Sequence, residues 1–133
     1  ESYRTGDRVT VPAPAPGHHT IMAGLDCGTP ATIAWPVLRD GLDAFMAIED
    51  DRARQAMQLL AKHEIVSGES GAAGLGGLLE LLDPATDAGV REQLGINDGA
   101  RVLVLSTEGA TDPVDYERIV GRSSDQVCGS AAR

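Results

Sequence analysis

Four consecutive apolar residues constrain this chain more than anything else in it. Val102-Leu103-Val104-Leu105 follow Arg101 and stop abruptly at Ser106-Thr107-Glu108-Gly109. A half-exposed strand alternates polar and apolar residues. An unbroken run of this kind predicts a strand covered on both faces, as in a parallel sheet. Such a strand needs helices around it, and helical patterns are present. Asp50–Lys62 lines up Ala53, Ala56, Met57 and Leu60 on one stripe, with Asp50 or Asp51 as cap. Ser70–Leu82 predicts a second helix, small-residue at its start and aliphatic at its end. Asp83-Pro84 opens a third through Leu94, closed by Gly95, and Asp112-Pro113 a fourth through Val120. Trp35–Ile48 is a fifth, weakened at Gly41 by about 1 kcal/mol relative to Ala. Val9-Thr10-Val11 and Ile65-Val66 are weaker strand candidates. The expected class is therefore α/β, short parallel strands with packed helices, but with too few strands for a complete doubly wound sheet.

The organisation expected is a Pro-rich linker or crossover segment over 1–19, a main body over 20–120 and a tail over 121–133. Pro12, Pro14 and Pro16 alternate with alanine and cannot form a helix. Residues 121–133 are polar and rich in Gly, Ser and Ala, which predicts fraying. Aromatic residues make up only 3%, so the core must rest on aliphatic side chains. The chain begins at Glu1 rather than Met and shows no targeting segment, so a piece cut from a longer chain is expected.

A net charge of −9 repels phosphate backbones and argues against nucleic-acid binding. There is no apolar run of about 18 residues, so no membrane span is expected. Cys27 and Cys128 stand far apart, without zinc spacing or a secreted disulfide framework. Free thiols and a cytoplasmic location are expected. His18-His19 reads as a solvated pair and His63 as a helix-end residue, so no metal is expected. The glycines at Gly74 to Gly77 lack the spacing of a dinucleotide fingerprint.

Two segments can carry chemistry. Ser67-Gly68-Glu69-Ser70-Gly71-Ala72 is a Gly/Ser-rich turn into a helix. Its free N–H groups suit an anion, and Glu69 would oppose one but could orient a cofactor hydroxyl or a cationic ring. The alternative is a capped, tightly packed helix start. Leu105-Ser106-Thr107-Glu108-Gly109-Ala110-Thr111-Asp112 places hydroxyls at the carboxyl end of the expected strand, where open α/β sheets bind ligands. The alternative there is a plain connection capped by Thr111 or Asp112.

Taken together, several segments resemble the diaminopropionate ammonia-lyases, a family of fold type II (tryptophan-synthase-like) pyridoxal-phosphate (PLP) enzymes. The resemblance rests on Thr20-Ile21-Met22-Ala23-Gly24-Leu25 through Cys27-Gly28, then Pro30, Trp35-Pro36 and Leu38-Arg39-Asp40. It rests equally on Ser67 to Ala72 and on Ser106-Thr107-Glu108-Gly109 with Thr111-Asp112-Pro113. It covers about residues 20 to 120, in order, and implies the C-terminal part of the PLP-binding domain. Such enzymes release pyruvate and ammonia from 2,3-diaminopropionate. A lysine holds PLP, a Gly-rich loop binds its phosphate, and a Ser or Thr near the C-terminus bonds the pyridine nitrogen. The resemblance implies Ser106 or Thr107 as that last contact. A neutral hydroxyl there makes the ring a weaker electron sink, which favours elimination over transamination. It further implies Glu69 close to the cofactor, and Gly68 and Gly71 as places where the backbone approaches the ring.

The chain departs from the family in what it lacks. Its one lysine, Lys62, ends an amphipathic helix and lies in no lysine motif of the family. The phosphate loop and acid/base carboxylates are missing as well. The expectation is a chain that is inactive alone and that completes its site with the N-terminal part of the enzyme or another subunit. Exposed apolar surface then predicts oligomerisation or a partner chain. Two alternatives remain open: a non-catalytic α/β binding or interaction module, and part of a serine or threonine dehydratase-like lyase.

Overall fold

A computed structural model describes residues 1–12, 17 and 19–129. The chain divides into two compact units, Glu1–Met46 and Ala47–Arg133. The expectations for Pro14, Pro16 and His18 lie outside the described residues.

The first unit carries a short helix α1 (Ser2–Thr5), a 3₁₀ turn at Ala23–Leu25 and helix α2 (Trp35–Gly41). Ser2 Oγ accepts the Val9 N–H and donates to the Val9 carbonyl, at 3.0 and 3.2 Å, folding α1 back on the segment after it. Met22 and Trp35 are buried, and the rings of Tyr3 and Phe45 lie 4.7 Å apart. Val9–Val11 forms no strand. It is linked to the segment at 28–29 by the Val11 N–H donating to the Gly28 carbonyl at 2.8 Å and by the Thr29 hydroxyl donating to the Thr10 hydroxyl at 2.9 Å. Helix α2 is half the expected length. After Gly41 the backbone of Leu42 is extended, with φ −105° and ψ 130°, and the apolar side chains of Leu42, Phe45 and Met46 stay exposed.

The second unit is built around helix α3 (Asp50–Lys62), which packs on α4 (Ala73–Leu82) and on α6 (Pro113–Val120). The expected stripe holds: Ala53, Ala56 and Met57 are buried, with Leu60 partly so. Ala61, Ala72, Tyr116 and Val127 complete the core. The cap differs from expectation. Glu49 is the N-cap and makes no side-chain bond, while Asp51 pairs with Arg54 at 2.6 Å. Acids in the first turn still favour the helix dipole. Gly76 of α4 lets the helices close in, since a Cβ there would lie 2.8 Å from Ile48 Cδ1 and 3.2 Å from the Arg52 carbonyl. Arg52 then ties α3 to α4 through Glu80, at 2.5 Å, and Asp83.

Among the described residues there is no strand. The expected Ile65-Val66 strand is instead irregular chain leaving the turn that closes α3. Glu64 adopts a left-handed φ of 64°, and the Ile65 N–H donates to the Leu60 carbonyl at 3.0 Å, a Schellman closure. The expected strand at Arg101–Leu105 has no ladder partner among the described residues. Val102, Leu103 and Leu105 are exposed rather than buried, Leu103 to 86%. Helix α5 (Ala88–Gln93) is shorter than the expected 84–94 and is capped by Asp87, which accepts the Gly89 N–H at 2.8 Å. Helix α6 starts as expected. Asp112 accepts the N–H groups of Val114 and Asp115, and Gly121 ends the helix at φ 80°. Beyond it, where fraying is expected, Ser124–Gly129 form α7 and Val127 is fully buried.

Candidate functional site

The two segments singled out in sequence meet in the second unit. The turn 67–72 leads into α4, and the stretch 105–111 leads into α6. Both helices pack near the α3 core, which fixes the turns at their starts. Ser67 is 1% exposed, and Ser106 Oγ donates to Ser67 Oγ at 2.8 Å. The Gly68 N–H donates to the Glu108 carbonyl at 3.0 Å. The two glycines explain the closeness. A Cβ on Gly68 would overlap the Gly109 carbonyl oxygen. One on Gly71 would overlap the Glu108 carbonyl oxygen and lie 2.8 Å from Ser67 Oγ. The close approach these glycines permit here is between the two loops.

Glu108 carries a feature that sequence reasoning missed. Its Oε2 accepts the Ser70 N–H at 3.1 Å and its Oε1 accepts the Thr111 hydroxyl at 2.5 Å. The Thr111 hydroxyl holds the Glu108 carboxyl below the usual range. The Ser70 donors add to this, and partial burial acts the other way. The one signal in sequence is Thr111 three residues beyond an acid. The bond to Ser70, 38 positions away, has none.

Of the expected site residues, Gly68, Glu69 and Gly71 are buried, while Ser106 and Thr107 are exposed. Glu69 is 7% exposed and has no hydrogen bond or ion pair to any described residue. Lys62 is exposed at the end of α3. His19 contacts Asp26 at 3.2 Å, and among the described residues no group of three His, Cys, Asp or Glu could hold a metal. Both cysteines are free and exposed. No helix among the described residues is long and apolar enough to cross a membrane.

The candidate site is thus two turns in contact, one carrying the buried residue Glu69 and the other the exposed residues Ser106 and Thr107. The family model for pyridoxal-phosphate dependent enzymes matches residues 1–108, and the chain belongs to that family, whose cofactor is PLP. Its relatives are more specific. It is 42% identical over 113 residues to the diaminopropionate ammonia-lyase of Salmonella typhimurium, covering 79% of this chain and 28% of the relative. It is 37% identical over 123 residues to that of Escherichia coli K12, covering 89% of this chain and 31% of the relative. The crystal structure of the Escherichia coli enzyme with an aminoacrylate-PLP azomethine reaction intermediate matches with a TM-score of 0.75 and 38% identity. That match covers 90% of this chain and 30% of that one. The chain thus spans less than a third of the length of these relatives.

Proposed function

We propose that this chain is the C-terminal, ring-side portion of a PLP-dependent ammonia-lyase that converts 2,3-diaminopropionate to pyruvate and ammonia. The Schiff-base lysine, phosphate loop and acid/base carboxylates come from an N-terminal portion of a longer enzyme. The observation that carries the reading is the junction of the two turns. Gly68 and Gly71 leave no room for a side chain against the backbone of Glu108 and Gly109, and Ser67 meets Ser106, so both segments shared with the family come together in one place. The residues suit a pyridine ring bearing a hydroxyl: Glu69 would accept a hydrogen bond from the ring side. Thr107 would donate a neutral hydroxyl to the ring nitrogen, or Ser106 would do so with its hydrogen turned away from Ser67, which then donates to it in place of accepting. Gly68 and Gly71 would keep the wall thin. When bound, PLP supplies the electron sink for elimination of amine from a small amino acid. The chain's own part is to orient the ring and to keep its nitrogen free of positive charge. Lys62 is exposed at the last turn of α3, which leaves it solvated and does not suit a cofactor lysine.

The apolar run Val102–Leu105 supports the same reading. Its exposed side chains and unpaired backbone would be covered by the N-terminal portion, and the run would there join a parallel sheet as a short strand. Free, exposed cysteines favour a reducing, cytoplasmic setting.

The test is turnover by the full-length enzyme. Pyruvate formed from 2,3-diaminopropionate far faster than from serine or threonine supports the reading. Faster release from serine or threonine assigns the chain to a dehydratase instead. A full-length protein that binds no PLP overturns the reading in favour of a non-catalytic module.

A further inference from the structure

We infer that Glu108 is a positioning residue that clamps the Ser67–Ala72 turn to the Ser106–Thr111 turn and thereby sets Glu69 and Ser106 toward the cofactor. The cofactor half of this statement rests on the function proposed above. The argument starts from the residues that flank Glu69. Its two neighbours, Gly68 and Ser70, both donate their N–H groups to Glu108, one to the main-chain carbonyl at 3.0 Å and one to Oε2 at 3.1 Å. Glu69 is therefore held at both shoulders by one residue of the other turn. The remaining carboxylate oxygen takes the Thr111 hydroxyl at 2.5 Å, which fastens Glu108 within its own turn. Two residues before Glu108, Ser106 reaches back to buried Ser67 at 2.8 Å.

Glycine makes the clamp possible. Any side chain at position 68 or 71 would occupy the space taken by the backbone of Glu108 and Gly109. Glu108 itself does not face a ligand, because both carboxylate oxygens are engaged within the protein. Its role is to act through Glu69 and Ser106. A charge-assisted bond from Ser70 is the strongest polar link between the turns, and a neutral side chain would weaken it.

The test uses the full-length enzyme in four forms: wild type, Glu108→Ala, Glu108→Gln and Thr111→Val. Amide hydrogen exchange is measured in peptides covering 67–72 and 53–61, and PLP affinity by absorbance titration. For Glu108→Ala the expected result is exchange over 67–72 faster by about tenfold, with α3 unchanged, and PLP bound about tenfold more weakly. Glu108→Gln keeps one acceptor and falls between wild type and Glu108→Ala. Thr111→Val, which frees the carboxylate within its own turn, shifts both readings in the same direction by less. Unchanged exchange over 67–72 in Glu108→Ala overturns the clamp, as does exchange that rises equally across α3. Faster exchange with unaltered PLP affinity overturns the link to the cofactor. A wild type that binds no PLP sinks the proposed function, while the exchange data still judge the clamp.

Discussion

Ser106 and Ser67, 39 positions apart, join their hydroxyls at 2.8 Å, and Ser67 is almost completely buried while Ser106 is exposed. A buried hydroxyl needs a partner, and here that partner is the residue that faces outward. Ser67→Ala therefore removes the internal anchor of Ser106. It should cost about 1 kcal/mol of stability in urea denaturation. In the full-length enzyme it should also weaken PLP several-fold, and an unaltered affinity would place the cofactor contact elsewhere.

Gly68→Ala and Gly71→Ala test the contact between the turns. Each added methyl meets backbone, which cannot rotate away. Either substitution should cost about 1–3 kcal/mol by urea denaturation. Gly41→Ala is the contrast, since a Cβ there meets nothing within 4 Å. It should be neutral or stabilise by up to about 1 kcal/mol, the helix cost of glycine relative to alanine.

Tyr116 gives a prediction of the opposite sign. Its ring is fully buried among α3 and α7 residues, yet its hydroxyl has no hydrogen-bond partner among the described residues. Burial pushes this phenol above its ordinary value. Tyr116→Phe keeps the ring and removes the unsatisfied group. Thermal unfolding should show the variant at least as stable as wild type, by up to about 1 kcal/mol. A clear loss would reveal a partner for the hydroxyl.

The Glu108 carboxylate also gives a pH signature. Its folded value is depressed, chiefly by the Thr111 hydroxyl and further by Ser70. A depressed carboxylate stabilises the fold fully above its unfolded value, and that contribution is lost as pH falls through the folded value. The difference in melting temperature between wild type and Glu108→Gln should thus be present at neutral pH and shrink in acid below the ordinary glutamate range. A difference that is independent of pH would contradict the assignment.

Local chemistry is legible in the sequence and pairing is not. Helix α3 is marked by its apolar stripe, α4 by its aliphatic end and α6 by its proline and cap, because those signals act within a turn or two. Helix α2 stops early because Gly41 weakens it, and Leu42 and Phe45 beyond it stay exposed. The run at 101–105 has the apolar pattern of a covered strand but no strand partner among the described residues. A ladder needs a second segment, and sequence pattern alone does not say where that segment lies. Val127 is hidden by the polar residues around it, though it fills the core beside Tyr116. In the site, glycines and hydroxyls mark the two turns. That Ser67 meets Ser106, and Glu108 meets Ser70, is a long-range fact with no local trace.

The central claim is that this chain lends the cofactor its ring-side wall while the lysine comes from elsewhere. Borohydride reduction of the PLP-loaded full-length enzyme, with peptide mapping of the product, tests it most directly. The account predicts a PLP-modified lysine N-terminal to Glu1 of this chain and an unmodified Lys62. A PLP adduct on Lys62, with pyruvate still released from 2,3-diaminopropionate, would contradict it.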